Sequence, residues 1–187
     1  LNRTIKEFNL RGPADILNKT RELVTEAFAK SGKFVHDGMD IALCSINGNS
    51  LCYSGANNPL WIIRKTIENT SPLKYDRITT VEDVSLIEFK ADKQNVGYTD
   101  LNDIKPFTQK EIKLETGDRI YIFSDGFADQ FGGEDNKKFK SKPFKNQLIR
   151  LTSEPILPQN IQLKTIFNDW KGEQEQIDDV CVIGIEI

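Results

Sequence analysis

Residues 119–133 read RIYIFSDGFADQFGG. The apolar run Tyr121-Ile122-Phe123 has the length and composition of a buried strand, and it halts at Ser124-Asp125-Gly126. Immediately before it, "FTQKEIKLE" (107–115) alternates apolar and polar residues like a strand with one solvated face. Thr116-Gly117-Asp118 lies between the two runs and reads as a turn, which predicts a hairpin with 119–125 as its second arm.

The rest of the chain shows the same alternation of apolar runs and turn signals. Gly12-Pro13-Ala14-Asp15 reads as a helix start, and Ile16, Leu17, Leu23, Val24 and Phe28 recur at helical spacing to about Ala29, where Ser31-Gly32 stops the pattern. "GMDIALCSI" (38–46) carries small or apolar residues on both faces, which predicts a strand buried on both sides. Asn47-Gly48-Asn49 is a hairpin signal leading into a return strand, "SLCYSGAN" (50–57). Asn57-Asn58-Pro59 reads as a turn before "LWIIR" (60–64). Residues 66–83 are polar and unpatterned and read as a loop or insertion; "SLIEFKAD" (85–92) is a strand and "QNVGYTDLND" (94–103) a loop. Gly132-Gly133 with the basic "KKFKSK" (137–142) reads as a solvated loop. Two helices are expected, from Pro143 to about Ser153 and from about Pro158 to Trp170, and then a closing buried strand around Val180-Cys181-Val182-Ile183. Strands that follow one another without helical crossovers, then helices, define an α+β protein with antiparallel sheets flanked by helices; a doubly wound parallel sheet is disfavoured. A length of 187 residues suits one domain, and there are no internal repeats.

Composition narrows the function. A net charge of -3 argues against nucleic acid as the main partner, because phosphate backbones select basic faces. No apolar run is long enough to span a bilayer, so no membrane contact by this domain is expected. Leu1-Asn2-Arg3-Thr4 does not read as a signal peptide, which suits a cytoplasmic setting. Cys44, Cys52 and Cys181 are odd in number and sit in apolar runs, as buried free thiols in a reducing compartment would. With His36 the only histidine and no CxxC spacing, neither a histidine cluster nor a thiolate zinc site can be built, and a lone loop histidine reads as a surface residue.

The carboxylates remain. An apolar strand ends in Asp125, and a pair, Asp178-Asp179, begins the last apolar strand. If those strands are antiparallel neighbours, Asp125 and Asp178 meet at one sheet edge. Crowded carboxylates repel, so they call for a raised pKa or a bound cation, and an all-oxygen donor set selects Mg²⁺, Mn²⁺ or Ca²⁺. Gly126 behind Asp125 allows close approach of backbone or water. The plain alternative stays open: Asp-Gly after a strand is commonly a turn, and Asp before a strand commonly a cap. Asp40, within "DGMD" (37–40), reads as a buried hydrogen-bond acceptor.

Taken together, "DGMDIALC", "YSGANNPLWIIR", "KPFT", "IYIFSDGFADQFGG", "KKFKSKPFKNQL" and "WKGEQEQIDDVCVIGI" resemble the catalytic domain of bacterial metal-dependent type 2C Ser/Thr phosphatases, in the branch of the sporulation stage II protein E. The resemblance runs from about residue 13 to the end, interrupted by 66–83. It implies an α-β-β-α sandwich, two Mn²⁺ or Mg²⁺ ions at one sheet edge, and attack of water on phosphoserine or phosphothreonine without a covalent enzyme intermediate. The metal ligands it implies here are Asp125 and Asp178, with Asp179 and Gly126 as neighbours that orient the site and no catalytic side chain beyond them. It also implies a phosphoprotein substrate such as an anti-sigma-factor antagonist, and an upstream sensor domain, itself able to carry a membrane anchor.

One departure qualifies this. The family places another metal-binding Asp-Gly segment near the start of the domain, and nothing in residues 1–36 matches it. The expectation is a later part of a catalytic domain without its first strands. It would bind metal weakly, show little or no phosphatase activity alone, and expose sheet edge that favours a homodimer. The competing class is a non-catalytic interaction module that keeps the fold.

Overall fold

The computed structural model describes residues 1–30, 38–65, 74–97 and 104–187. In chain order these form α1 (Asn2–Phe8), α2 (Pro13–Lys30), β1 (Gly38–Met39), β2 (Ile41–Asn47), β3 (Ser50–Ala56), β4 (Leu60–Lys65), β5 (Arg77–Val81), β6 (Val84–Phe89), β7 (Val96–Gly97) and β8 (Lys110–Lys113). There follow β9 (Arg119–Phe123), α3 (Gly126–Asp129), β10 (Phe131–Gly132), β11 (Lys137–Lys138), α4 (Ser141–Arg150) with a 3₁₀ turn (Leu151–Ser153), α5 (Gln159–Lys171) and β12 (Val182–Glu186). The pairs β1–β7, β2–β3, β3–β8, β5–β6, β9–β12 and β10–β11 are antiparallel, as the α+β reading requires. His36, Asp37 and the Ser31-Gly32 helix stop lie outside the described residues.

The chain divides into two compact units. The first comprises Leu1–Leu60, Pro72–Lys74 and Phe89–Glu115. Its sheet has the order β2-β3-β8, beside a small β1-β7 pair. The hairpin signal at 47–49 is realised: Asn47 faces Ser50, and Gly48 takes φ 57 at the first turn position, where a side chain is disfavoured. Helix α2 lays Ala14 and Leu17 against Ala56, Val96 and Phe107. Its Arg21 stacks over the Phe107 ring at 4.7 Å and donates to the Lys105 carbonyl at 2.9 Å, so the guanidinium ties the helix to the segment that leads into β8. The left-handed Asn9 (φ 50) separates α1 from α2; α2 begins at Pro13, as Gly12-Pro13 predicts, and α1 ahead of it was not read from sequence.

The second unit comprises Trp61–Ser71, Tyr75–Glu88 and Thr116–Ile187, and its sheet has the order β12-β9-β4-β6-β5. Alternate residues of three strands, Trp61 and Ile63, Leu86, and Tyr121 and Phe123, share one face and pack with Phe144, Leu148 and Ile149 of α4 and Leu163 and Phe167 of α5. Phe144 anchors this layer, with ring centroids 5.5 Å from Trp61, 5.2 Å from Phe123 and 4.4 Å from Phe127. Each such fully buried side chain contributes about 1.5–3 kcal/mol. Arg64 and Asp118 form a buried bidentate ion pair, both bonds at 2.7 Å.

Several expectations are corrected. β8 and β9 do not form a hairpin: β8 pairs with β3, whereas β9 pairs with β12. The Gly117 N–H donates to the Ile187 carbonyl and the Ile187 N–H to the Asp118 carbonyl, so the connection is held by the C-terminal strand. Residues 77–81, within the stretch read as loop or insertion, are strand β5, turned onto β6 through Glu82 at φ 54. Both β2 and β12 are edge strands and more exposed than expected: no residue of β2 is fully buried, and Ile183 and Ile185 are over 40% exposed. Cys181 is accordingly exposed, while Cys44 and Cys52 are half-buried; all three are free. Asp40 accepts a hydrogen bond from Asn57 Nδ2 at 2.7 Å, but in an exposed break between β1 and β2 rather than in a buried strand. The stretch around "KKFKSK" contains the small β10-β11 pair, and α4 begins at Ser141, two residues before Pro143.

Candidate metal centre

Strand β9 is fixed by its burial pattern: Ile120, Tyr121 and Phe123 are all buried. Burial pushes the Tyr121 phenol up to about 12, and its hydroxyl bonds to Gln159 Oε1 at 2.8 Å, anchoring the middle of β9 to α5. The antiparallel ladder with β12 runs from Arg119↔Glu186 to Phe123↔Val182. Continued by one step, it brings Ser124 opposite Cys181, and the Ser124 N–H does donate to the Cys181 carbonyl at 3.0 Å.

At that point the regular pattern changes. The Cys181 N–H, which a regular ladder would pair with the Ser124 carbonyl, donates to the Ser124 hydroxyl at 2.9 Å. The same hydroxyl donates to the Asp179 carbonyl at 2.7 Å. Asp125 follows with φ -73 and ψ -16 and starts α3, whose Asp129 N–H returns to the Asp125 carbonyl at 3.0 Å. The backbone of Asp-Gly is therefore a turn, as the plain reading holds. The Asp125 side chain, however, makes no cap hydrogen bond to α3, and it is exposed.

Gly126 is required by contact rather than by φ. A Cβ there would stand 2.4 Å from the Asp179 carbonyl oxygen and 3.3 Å from Val180 Cγ2. The turn after β9 is thus pressed against the segment that leads into β12. Within that segment Asp178 is exposed, and its Oδ1 accepts the Asp179 N–H at 2.7 Å. Further back, the wholly buried Gln130 donates through Nε2 to the Glu175 carbonyl at 2.9 Å, and Trp170 Nε1 donates to the Gln130 carbonyl at 3.0 Å. Residues 172–181 are hence tied down on both sides of Asp178.

The structure places Asp125 and the Asp178-Asp179 pair at the same end of two hydrogen-bonded strands, both exposed. Their donors are carboxylate and carbonyl oxygens, which suit a hard divalent cation in kind. In number they are few: among the described residues no group of three or more His, Cys, Asp or Glu side chains could hold a metal ion. Ser124 and Gln130 were missed from sequence. The serine ahead of Asp-Gly was a legible signal; the glutamine was not, because the Glu175 carbonyl that it ties down lies 45 residues along the chain.

The sequence profile of the stage II sporulation protein E (SpoIIE) family matches residues 2–187. The chain belongs to the SpoIIE family. No curated protein sequence matches it. Among solved structures it is similar to the SiaA-PP2C domain of Pseudomonas aeruginosa, with a TM-score of 0.77 at 22% identity, covering 100% of this chain and 65% of that one. It is also similar to the phosphatase domain of SpoIIE from Bacillus subtilis, with a TM-score of 0.51 at 16% identity over 100% of this chain and 74% of that one. The catalytic domain of the serine/threonine protein phosphatase PstP, solved with two manganese ions, gives 0.56 at 11% identity over 92% of this chain and 68% of that one. The fold is that of type 2C phosphatases. The chain spans just under two thirds of the SiaA domain's length. Among the described residues no helix is long and apolar enough to cross a membrane.

Proposed function

We propose that this SpoIIE-family chain is the part of a metal-dependent protein serine/threonine phosphatase domain that carries Asp125 and Asp178 as metal ligands. The observation that carries the reading is the β9–β12 ladder, which ends with both acids exposed on the same side of a Ser124 bridge. When bound, divalent metal ions would supply hydroxide near neutral pH and neutralise phosphate charge. The chain's own part is to offer carboxylate oxygens at fixed strand ends and to hold the two segments in register. The substrate class is a phosphoserine or phosphothreonine protein, such as a phosphorylated anti-sigma-factor antagonist in bacterial signalling; Mn²⁺ or Mg²⁺ is the cation. An upstream sensor as regulator, cytoplasmic placement and self-association belong to the same proposal.

Two carboxylates bind a divalent ion weakly, so the 187-residue chain by itself should turn over phosphopeptide slowly or not at all. That shortage of donors among the described residues also favours a second reading, an interaction module that keeps the fold without catalysis. Phosphate release from a phosphoserine peptide with Mn²⁺ separates the two when the full-length gene product is assayed beside its Asp125→Ala variant. Turnover lost in the variant supports the phosphatase. Absence of Mn²⁺-dependent turnover in the unsubstituted protein supports the module.

A further inference from the structure

We infer that Ser124 is a positioning residue whose hydroxyl sets the placement of Asp178 relative to Asp125, and with it the affinity of the site for a divalent cation. The inference rests on the proposed metal-binding reading. Its basis is the double use of one hydroxyl: Ser124 Oγ donates to the Asp179 carbonyl at 2.7 Å and accepts the Cys181 N–H at 2.9 Å. Together with the Ser124 N–H to the Cys181 carbonyl, that makes three hydrogen bonds from one residue to the segment that carries Asp178. Asp125 is the next residue in the chain, so the bridge fixes the two acids by the shortest route the backbone offers.

The chemistry follows from hydroxyl geometry. A hydroxyl both donates and accepts, so it can hold the carbonyl of residue 179 and the N–H of residue 181 together, which neither a carbonyl nor an apolar side chain can do. It completes the ladder where the backbone of β9 must leave it to form α3. The Gly126 contact closes the same seam from the other side, because the Asp179 carbonyl that accepts the Ser124 hydroxyl hydrogen bond also abuts Gly126. Loss of the hydroxyl leaves the Asp179 carbonyl and the Cys181 N–H without this partner and lets the 178–181 segment drift from Asp125. Residues that orient metal ligands typically change affinity by about 10–100-fold when removed.

The probe is Mn²⁺ alone, titrated into the 187-residue chain and followed by paramagnetic broadening of amide resonances, with hydrogen exchange of the Cys181 amide and thermal melting in parallel. Ser124→Ala should weaken Mn²⁺ binding by about tenfold or more in a chain that still melts cooperatively, and Ser124→Thr, which keeps the hydroxyl, should restore it. If Ser124→Ala does not fold, Ser124→Cys carries the same expected loss, since a thiol is a weak donor. Faster Cys181 exchange with unchanged Mn²⁺ affinity makes the bridge merely structural and overturns the inference, while leaving the metal site intact. Binding in the unsubstituted chain that Asp125→Ala does not diminish overturns the metal-site reading and this inference with it.

Discussion

Gly126→Ala sets two physical effects against each other, and the structure decides between them. Gly126 opens α3 with helical backbone, so intrinsic preference alone favours alanine by up to about 1 kcal/mol. The added Cβ, however, would sit 2.4 Å from the Asp179 carbonyl oxygen and 3.0 Å from its carbon. The obstructing atoms are backbone, and their segment is bonded to Ser124 and Gln130, so no flexible side chain can swing aside. Relief requires the 178–180 segment to retreat by roughly 1 Å, and forced overpacking of this kind costs about 1–3 kcal/mol. The collision outweighs the propensity. For a chain of this size a loss of 1 kcal/mol lowers Tm by roughly 2–4 °C, so a fall of several degrees is expected by circular dichroism. Mn²⁺ broadening should weaken as well, because the carboxylates separate. A Gly126→Ala variant that melts at or above the unsubstituted Tm would refute the reasoning: propensity would have won, and the seam between α3 and β12 would not be tight.

Other outcomes follow from the same structure. Arg64→Ala removes both guanidinium bonds to the buried Asp118 carboxylate and should destabilise the chain by about 3–5 kcal/mol in urea titrations, whereas a surface pair such as Lys137–Asp135 should give under about 1 kcal/mol. Phe144→Ala removes a wholly buried ring that touches three other aromatics and should cost about 3–5 kcal/mol by the same measurement. Burial raises the Cys44 thiol from an ordinary 9.0 to about 12 and the Tyr121 phenol from 10.0 to about 12. Both groups therefore hold their protons longer in the folded chain. Their stabilising contribution is complete below pH 9 and 10 respectively and is lost as pH rises towards 12, and Cys44→Ala should flatten the part of that decline that begins near pH 9. At pH 8, a thiol-reactive dye should label exposed Cys181 ahead of Cys44.

What could be read from sequence depended on whether burial left a pattern. The Asn47-Gly48 turn specified the β2–β3 hairpin because its conformation is local. The pairing of β9 with β12, which puts Asp125 and Asp178 at one end of a ladder, was legible only as a condition, from two apolar runs each flanked by acid. Strand β5 was hidden because all five of its residues are exposed, which leaves β-branched content without alternation. The β8–β9 turn misled because Thr116-Gly117-Asp118 fixes a reversal but not whether both arms remain in one sheet. Edge strands β2 and β12 read as buried because an apolar sequence does not reveal that its strand lies at a sheet margin. The Ser124 bridge is a tertiary fact: its partners lie 55 and 57 residues away.

If Asp125 and Asp178 are ligands of one cation site, a Mn²⁺ titration of the 187-residue chain, read amide by amide, should find both. Broadening is expected to centre on residues 124–126 and 178–181, with weak affinity on the order of millimolar for so few carboxylates, and to be lost in both Asp125→Ala and Asp178→Ala. Broadening centred elsewhere, or unchanged by either substitution, would contradict a shared site.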